Sequence, residues 1–422
     1  MDCVSYGAAF TGGSLTVPPS KSAAIRALLC GALARRTGGG SCEVTNLYAS
    51  EDITVTARAA EILCTGKGGE VDCGESGSLL RFIIPVAAAL GGRWRFTGRG
   101  RLPQRPIGVY AELLPAHGVS FASEESGCGL PLTVEGRLTP GSFSLPGNIS
   151  SQFVTGLLMA LPLLDGDSEL LLTSPLESRG YVDMTMDILR DFGIVVNPTD
   201  GGWQIPGRQR YENPSYQVEG DWSQAAFFLN IAALSPTGAQ VRLKGLRPNS
   251  LQGDRACIDV FDRFGLDVRW EGMELVAQNR YAGEPFGGLR GQTLDVSDIT
   301  DMVPAASVCA ALSRGETRFE NAGRLRLKES DRLDAMKRAI NTLGGIASED
   351  GDTLIIHGVE HLKGGRANGC NDHRVVMALA GAGLRSESPV EVTDAHSINK
   401  TYPTFFEEYR RLGGIAHVFQ LG

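Results

Sequence analysis

The fold is decided by the stretch Pro18-Pro19-Ser20-Lys21-Ser22-Ala23-Ala24-Ile25-Arg26, near the start of the chain. The prolines end an extended segment, and Ser20 is predicted to cap an apolar helix. Helical spacing places Ser22 and Arg26 on one face, with Lys21 in the first turn. A helix start carries free N–H groups and a partial positive charge, so the stretch favours an anion site. An ordinary capped helix with solvated cations is the alternative; no P-loop glycines precede Lys21.

Composition bounds the class of protein. The chain has 422 residues, of which 42% are hydrophobic and 21% charged, which predicts a globular protein with two or more cores. The net charge of −8 argues against general binding of nucleic acid or of an acidic membrane. The sequence holds no charge-free run of about 18 or more apolar residues, so we expect no membrane span. Any cationic site must therefore be local.

The nine cysteines form no C-x-x-C pair and no zinc-type spacing, so they predict no metal site. Several lie inside apolar runs, for example Cys30 and Cys309, as buried reduced thiols do. No signal peptide opens the chain. We therefore expect a cytoplasmic protein that is a monomer and whose partners are small-molecule substrates.

Two kinds of helical segment alternate through the chain at a spacing of about 70 residues. One is amphipathic and ends at a Gly-containing turn followed by a short strand. The other is apolar on most faces and is predicted to lie in the interior. The apolar segments are residues 22–33, 78–90, 151–163, 222–234, 303–312 and 375–384. Six copies of this pair predict two α/β domains with three repeats each.

Polar residues collect where these helices begin. Apolar helices follow the Gly- and Ser-rich turn at 72–78, the run 148–152, Asp301 and the run 371–374. Capping explains one such residue per helix, but it does not explain the whole of each run. Cations also occur at helix starts, namely Lys21, Arg26, Arg105, Lys328, Arg332, Arg374 and Lys400. A solvated charged face is the alternative for any one of them; together they favour substrates with several negative charges.

Seven motifs, in order, resemble the 5-enolpyruvylshikimate-3-phosphate (EPSP) synthase family, the 3-phosphoshikimate 1-carboxyvinyltransferases. They span essentially the whole chain: Pro-Ser20-Lys21-Ser22-x-x-x-Arg26, Gly-x-Ser76-Gly77-Ser78, Gln-Arg105-Pro-Ile, Ser150-Ser151-Gln152-Phe, Lys328-Glu329-Ser-Asp331-Arg332, Asn371-Asp372-His373-Arg374 and Asn399-Lys400-Thr-Tyr-Pro. The resemblance implies an α/β fold of two similar domains, each with three βαβαββ-type repeats and parallel interior helices. It assigns residues 1–14 and 221–422 to one domain and 15–220 to the other, with the active site in the interdomain cleft.

The resemblance implies transfer of the enolpyruvyl group of phosphoenolpyruvate to the 5-hydroxyl of shikimate 3-phosphate, with release of phosphate. This reaction belongs to the shikimate pathway of aromatic amino acid biosynthesis. Shikimate 3-phosphate would be bound by Lys21, Ser22, Arg26, Ser150, Ser151, Gln152, Ser178, Tyr181, Asp301 and Lys328. Phosphoenolpyruvate would be bound by Lys21, Gly77, Arg105, Gln152, Arg332, Arg374 and Lys400. No metal or organic cofactor is implied.

Two carboxylates match the two proton movements that the implied reaction needs. Asp301 resembles the base that accepts the 5-hydroxyl proton. Glu329 resembles the group that protonates C3 of phosphoenolpyruvate and later recovers that proton, with Lys21 assisting. His373 lies within a motif but is interpreted as structural, because neighbouring Arg374 has the charge that the ligand needs.

The sequence departs from the family pattern at two positions, and three alternative functions are considered. Glu75 and Arg324 stand where family members often have Asn. The related enolpyruvyl transferase that acts on UDP-N-acetylglucosamine differs at the first motif and uses a loop cysteine, whereas the cysteine nearest to Arg105 is Cys128. A catalytically dead binding protein on the same scaffold is a further alternative, disfavoured by the presence of Asp301 and Glu329. A domain of a fused multi-enzyme chain is a third, for which the length gives no support.

Overall fold

The structure is a computed structural model that describes residues 2–37, 40–124, 129–213 and 215–420. Cys128 lies outside the described residues. The chain folds into two compact units. Unit 1 comprises the described residues of 1–18 and 220–422, and unit 2 comprises those of 19–219.

The described helices alternate in character along the chain. They are α1 (Lys21–Thr37), α2 (Glu51–Thr65), α3 (Gly77–Leu90), α4 (Gly108–Leu113), α5 (Ser151–Ala160), α6 (Arg179–Asp191), α7 (Trp222–Leu234), α8 (Cys257–Phe264), α9 (Val303–Ala311), α10 (Arg332–Thr342), α11 (His373–Leu384) and α12 (Phe405–Arg411). Short 3-10 turns add Leu102–Gln104, Leu114–His117, Leu161–Leu163, Gly253–Ala256, Pro285–Gly288, Gly323–Leu327 and Ala395–Lys400.

The described strands are short and form small sheets. They are β1 (Asp2–Gly7), β2 (Gly13–Thr16), β3 (Glu43–Thr45), β4 (Gly68–Asp72), β5 (Arg93–Thr97), β6 (Val119–Ser123), β7 (Leu132–Gly136), β8 (Ser142–Leu145), β9 (Ser168–Leu172), β10 (Asn197–Thr199), β11 (Gly202–Ile205), β12 (Ser215–Gln217), β13 (Val241–Lys244), β14 (Asp267–Glu271), β15 (Glu274–Gln278), β16 (Thr293–Asp295), β17 (Glu316–Glu320), β18 (Ile346–Asp350), β19 (Thr353–His357), β20 (Gly365–Ala367), β21 (Val390–Thr393) and β22 (Ile415–Gln420).

The odd-numbered helices are the predicted interior helices. Every residue of α7, α9 and α11 is buried, as their apolar composition requires. The even-numbered helices are amphipathic; in α6, Ile188 and Leu189 are buried while Arg190 is exposed. Ser20 accepts a hydrogen bond from the Ala23 N–H at 3.3 Å, which confirms it as the cap of α1.

The described residues of unit 1 form three four-stranded sheets. Their strand orders are β20-β21-β1-β22, β14-β15-β13-β2 and β16-β17-β19-β18. Strand β1 lies between β21 and β22 and pairs with both in antiparallel fashion, while β2 pairs in parallel with β13. The start of the chain is therefore built into sheets made from its second half.

Unit 2 contains two four-stranded sheets and one two-stranded sheet among its described residues. The orders are β4-β5-β7-β6, β10-β11-β9-β8 and β12-β3. The two-stranded sheet is smaller because, in the described chain, α2 leads directly to β4, which pairs with β5, so β3 is not extended by a hairpin as β5 is by β6 and β7. The predicted α/β fold, with helix pairs and small sheets repeated along the chain, is confirmed.

The close approach of α5 to α3 in unit 2 generates a stability prediction. A Cβ on Gly156 would lie 2.5 Å from the Tyr110 hydroxyl and 2.9 Å from Pro85 Cγ, and it would also meet the Arg81 carbonyl. Gly156→Ala should lower the free energy of unfolding by about 1–3 kcal/mol, because backbone atoms of a packed core must move apart. Urea denaturation measures this.

Gly108→Ala is the matched control for that substitution. Gly108 is the first residue of α4, and an added Cβ would meet nothing within 4 Å. The control should leave stability unchanged or slightly raised, because alanine favours the helix. Equal effects of the two substitutions would contradict the assigned helix contact.

Candidate active site

The predicted site residues fall into two groups, one in each unit. Unit 1 holds Asp301, Lys328, Glu329, Arg332, Arg374 and Lys400. Unit 2 holds Lys21, Ser22, Arg26, Gly77, Arg105, Ser150, Ser151, Gln152, Ser178 and Tyr181. Within each group, most of these residues lie at or next to the starts of helices.

Asp301 lies in the turn before α9 and binds three cations. Its carboxylate accepts hydrogen bonds from Lys328 Nζ at 3.1 Å, from Arg332 Nη1 at 2.9 Å and from Arg374 Nη2 at 3.1 Å. The N-cap residue of α9 is Met302, so Asp301 is not used as the cap. Its carboxylate is held by side chains from two segments of the chain, residues 328–332 and the start of α11.

The charges around Asp301 control its ionisation. Burial opposes the charged form, but Arg374, Lys328 and Arg332 outweigh burial and hold the pKa of Asp301 well below its ordinary value. Burial lowers the pKa of Lys328, which the neighbouring Asp301 opposes. Asp301 is therefore a carboxylate at physiological pH, and its readiness to accept a proton depends on how much positive charge remains beside it.

Arg332, the first residue of α10, is only 1% exposed and contacts three carboxylates. Its guanidinium donates to Asp301 Oδ1 at 2.9 Å, to Glu329 Oε2 at 2.6 Å and to Asp372 Oδ2 at 2.8 Å. Burial opposes the charge of Arg332, but the carboxylates raise its pKa above the ordinary value. We call Arg332 with these three carboxylates the Arg332 cluster.

Asp372 completes the Arg332 cluster, a role that its place in the sequence does not predict. It is fully buried, caps α11 by accepting the Arg374 N–H at 3.0 Å, and accepts the Ser330 hydroxyl at 2.9 Å. Burial raises the pKa of Asp372, but Arg332 more than compensates and the pKa is lowered. An Asp before a helix predicts only a cap, so its contact with Arg332 has no signal in the sequence.

Arg374 links Asp301 to a second capped helix start. Its guanidinium donates to the Asp301 backbone carbonyl at 3.0 Å and to the Ser223 hydroxyl at 3.1 Å. The Ser223 hydroxyl in turn donates to Asp221, the N-cap of α7, at 2.6 Å. Sequence reasoning missed Ser223, because a serine in the first turn of a helix is common.

Lys400 lies at the end of a 3-10 turn and is 7% exposed. Its Nζ donates to the Asn371 carbonyl at 2.8 Å, one residue before Asp372. Asn371 and Cys370 have φ values of 49° and 54°, which side chains other than glycine rarely adopt. Such strain persists where surrounding contacts fix the backbone, and it frequently marks functional sites.

In unit 2, Arg26 is a buried cation surrounded by neutral acceptors. It is 2% exposed and donates to the Ser22 carbonyl at 2.7 Å and to the Tyr181 carbonyl at 3.1 Å. Its guanidinium lies over the Phe82 ring, 4.8 Å from the centroid. Burial lowers the pKa of Arg26 to about 10, so it stays charged. Within the described residues no carboxylate is bonded to it.

Gly77 and Arg105 lie together at the start of α3. A Cβ on Gly77 would collide with the Arg105 guanidinium, with Cζ at 2.5 Å, so the absence of a side chain makes room for the cation. The Arg105 Nε atom is buried and has no hydrogen-bond partner among the described residues. The turn predicted from the Gly- and Ser-rich sequence therefore lies against a guanidinium.

Gln152 is fixed at both ends of its side-chain amide. Nε2 donates to the Ser78 hydroxyl at 2.8 Å, and Oε1 accepts from Arg81 Nη1 at 2.6 Å. Ser150 caps α5, as its hydroxyl accepts the Gln152 N–H at 3.3 Å. Arg81 was missed in the sequence, although a single cation within the apolar run 79–84 was a usable signal.

Lys21 and Ser178 complete the unit 2 group. Lys21 Nζ lies 2.9 Å from Asp52 Oδ2, an ion pair that the sequence did not predict. Ser178 precedes α6, is 1% exposed and has a φ of 53°. A buried serine in the left-handed region is strained, which supports a functional position.

The two departures from the family pattern have definite positions. The Glu75 carboxylate lies against Gly100, where an added Cβ would be 2.7 Å from Glu75 Cδ. Arg324 donates to the Ser297 carbonyl at 3.3 Å. Burial, then Arg332 and Arg324, lowers the pKa of Lys328, while Asp301 opposes this shift. His373 is buried in the first turn of α11, as a structural residue would be.

The two groups are suited to different chemistry. The unit 2 group presents Arg26 and Arg105, cations that make no carboxylate contact within the described chain, and so it is suited to bind anions. The unit 1 group alternates cations with carboxylates, which suits an anion together with proton transfer.

Comparison with solved structures identifies the class of fold. The chain is similar to an EPSP synthase from Acinetobacter baumannii, with a TM-score of 0.79, 25% identity and complete coverage of both chains. It also shares its fold with the enolpyruvyl transferase NikO from Streptomyces tendae, with a TM-score of 0.76 and 16% identity over 100% of this chain and 99% of that one. The protein has the two-domain enolpyruvyl transferase fold.

Sequence comparisons identify the family. Residues 60–409 match the model of EPSP synthase (3-phosphoshikimate 1-carboxyvinyltransferase). The 3-phosphoshikimate 1-carboxyvinyltransferases of Clostridium beijerinckii and Clostridium kluyveri are 38% and 39% identical to this chain, with 97% of each chain covered. The chain belongs to the EPSP synthase family, which is a family of enzymes. Among the described residues, no helix has the length and apolar character needed to span a membrane.

The Arg332 cluster generates a prediction about acid stability. Asp372→Asn removes one charge from a buried network and should lower the free energy of unfolding by about 3–5 kcal/mol at pH 7. The folded pKa of Asp372 lies below that of an unfolded aspartate, so its stabilisation is present above about pH 4 and is lost as the pH falls further. The difference from the unsubstituted protein should therefore shrink at pH 3.

Urea denaturation at pH 7 and at pH 3 measures this effect. Asp350→Asn, at an exposed carboxylate in β18, is the control and should change stability little at either pH. A loss of stability in Asp372→Asn that is equally large at both pH values would contradict an electrostatic origin.

Proposed function

We propose that this protein transfers the enolpyruvyl group of phosphoenolpyruvate to the 5-hydroxyl of shikimate 3-phosphate, releasing phosphate in the shikimate pathway. The observation that carries the proposal is that the Asp301 carboxylate is hydrogen-bonded to three cations. One of these cations, Arg332, also donates a hydrogen bond to Glu329. This arrangement combines an anion-binding surface with two proton-transfer groups. Full-length similarity to named 3-phosphoshikimate 1-carboxyvinyltransferases supports it.

Shikimate 3-phosphate is proposed to bind the hydroxyls and cations of unit 2. Ser22 and Arg26 hold its carboxylate, for which the buried and carboxylate-free environment of Arg26 gives the electrostatic reason. Its phosphate binds Ser150, Ser151 and Ser178, and its ring lies against Gln152 and Tyr181. Lys21, Lys328 and Asp301 complete the proposed contacts with this substrate.

Phosphoenolpyruvate is proposed to bind Lys21, Gly77, Arg105, Gln152, Arg332, Arg374 and Lys400. Its phosphate and carboxylate match the forked guanidinium groups of the arginines. The buried Nε of Arg105, which has no hydrogen-bond partner in the part of the chain that the structure describes, supports a ligand at the start of α3. Arg332 already bonds three carboxylates, so its contact with the substrate requires that it share hydrogen bonds with them.

Asp301 is proposed to accept the proton of the 5-hydroxyl while the hydroxyl oxygen attacks C2 of phosphoenolpyruvate. The three cations make Asp301 a weak base in the unliganded protein. An anionic substrate bound to Arg374 and Lys328 reduces the positive charge felt by Asp301 and raises its basicity. Asp301 therefore becomes a stronger base when the anionic substrate is bound, and it stays unprotonated when the substrate is absent.

Glu329 is proposed to protonate C3, forming the methyl group of a tetrahedral adduct. It then recovers that proton as phosphate leaves, with assistance from Lys21. The cations stabilise the negative charge of the adduct, and Arg332 donates to Glu329 at 2.6 Å and so fixes the carboxylate that moves the proton. This chain's own side chains supply each proton step.

We further propose that the protein acts as a monomer in the cytoplasm. Thiols such as Cys30 and Cys309 are free and buried, as suits a reducing compartment. Each compact unit buries interior helices of its own, which supports a monomer. Light scattering tests this state, and the mass of two chains would exclude it.

Phosphate release tests the proposed reaction. The purified protein is given phosphoenolpyruvate with either shikimate 3-phosphate or UDP-N-acetylglucosamine. Release with shikimate 3-phosphate alone is expected. Release with UDP-N-acetylglucosamine alone would favour the related cell-wall enzyme, and release with neither substrate would favour a catalytically dead scaffold.

Asp301→Asn should lower kcat by at least about a hundredfold, the usual contribution of a general base. Binding of shikimate 3-phosphate, measured by calorimetry, should stay within a few-fold of the unsubstituted protein. Asp298→Asn alters an exposed carboxylate in the same turn and should leave kcat unchanged. Because Asp301→Asn leaves three cations facing an amide, the thermal midpoint of Asp301→Asn must be measured too. Lost binding with unchanged turnover would refute the role of Asp301.

Arg374→Ala should raise the KM for phosphoenolpyruvate at least tenfold, the equivalent of one charged hydrogen bond. The affinity for shikimate 3-phosphate should change much less. Arg385→Ala is the control, because Arg385 is another largely buried arginine, at the opposite end of α11. Equal weakening of both substrates by Arg374→Ala would undo the assignment.

A further inference from the structure

Two fully buried threonine hydroxyls lie beside Arg26. Thr155 belongs to α5 and Thr185 to α6, and both are 0% exposed. Arg26 Nε donates to Thr185 Oγ1 at 2.8 Å, and its Nη2 donates to Thr155 Oγ1 at 3.4 Å. The two hydroxyl oxygens are 2.9 Å apart. Three helices therefore meet at one guanidinium.

The direction of each hydrogen bond follows from the number of protons. Thr185 Oγ1 donates its single proton to the Tyr181 carbonyl at 2.8 Å. It cannot also donate to Thr155, so Thr155 must be the donor of the pair. Thr185 then accepts from both Arg26 and Thr155, which uses both of its lone pairs. Its hydroxyl is completely satisfied and has one orientation.

This network leaves one N–H of Arg26 for a ligand. A guanidinium has five N–H donors. Nε bonds Thr185, Nη2 bonds Thr155 and the Tyr181 carbonyl, and Nη1 bonds the Ser22 carbonyl. Within the described part of the chain, the second N–H of Nη1 is the donor that remains. The arginine is held in place while one donor and its whole charge stay available.

Hydroxyls are better suited than carboxylates to hold Arg26 in place while leaving its charge available to a ligand. A carboxylate at either threonine position would hold Arg26 equally well, but it would neutralise the charge and compete with an anionic ligand. Hydroxyl and carbonyl oxygens orient the guanidinium without supplying a counter-charge. The counter-charge then comes from the substrate.

We propose that Thr155 and Thr185 are positioning residues that aim Arg26 at the carboxylate of shikimate 3-phosphate without touching the substrate. The inference rests on the proposed function, and it adds two residues to the machinery that recognises this carboxylate. The affinity for the carboxylate should depend on hydroxyls buried behind the arginine.

Thr185→Val tests the proposal, because it keeps the shape of the side chain and removes the oxygen. The KM and the dissociation constant for shikimate 3-phosphate should rise about tenfold, while kcat and the KM for phosphoenolpyruvate stay within about threefold. Thr185→Ser, which keeps the hydroxyl, should restore most of the affinity. Thr155→Val should weaken binding less, because its contact with Arg26 is the longer one.

A carboxamide analogue of shikimate 3-phosphate separates positioning from general damage. It lacks the charge that Arg26 recognises, so Thr185→Val should bind it as the unsubstituted protein does. Thr317→Val, at a fully buried threonine in β17 of unit 1, controls for burying a valine and should bind both ligands normally. Thermal midpoints show whether each variant is folded. If Thr185→Val does not fold, the separate variants Thr155→Val and Thr185→Ser test the positioning role instead.

Distinct outcomes separate this inference from the proposed function. Unchanged affinity for shikimate 3-phosphate in Thr185→Val, or equal weakening of the acid and the carboxamide, would overturn the positioning role. Where Thr185→Val does not fold, unchanged affinity in Thr155→Val would overturn it. Failure of the unsubstituted protein to bind shikimate 3-phosphate would instead overturn the proposed function, and the positioning role with it.

Discussion

The buried guanidinium of Arg332 is the interaction on which the unit 1 group depends. It joins the turn before α9, the segment before α10 and the cap of α11 through three carboxylates. Asp372 is fully buried and the other two carboxylates are partly buried, so each would be unfavourable without the cation. Asp301 then reaches Lys328 and Arg374, so the charges alternate through the site and hold one another in place.

Unit 2 holds charge in the opposite way. Arg26 is surrounded by hydroxyls and backbone carbonyls, and Arg105 keeps a buried donor without a partner in the described chain. Arg26 and Arg105 therefore have no carboxylate counter-charge within the described chain, whereas Lys328, Arg332 and Arg374 are already paired with carboxylates.

The sequence was enough to predict the helices and the charged motifs, but not which residues the charged side chains contact. The burial of α7 follows directly from its apolar composition, and the capping role of Ser20 follows from its place before α1. In contrast, Asp372 and Thr185 look like an ordinary cap and an ordinary helical threonine. Their second partners, Arg332 and Arg26, come from distant segments, so only the packing of the helices reveals them.

The position of β1 has a consequence for synthesis on the ribosome. Asp2 pairs with Gln420, so the first strand to be made waits for the last before its sheet is complete. Unit 2 is continuous in sequence and is finished while most of unit 1 is still unmade. It is therefore able to fold first, and the nascent chain must keep β1 from premature pairing until its carboxyl end emerges.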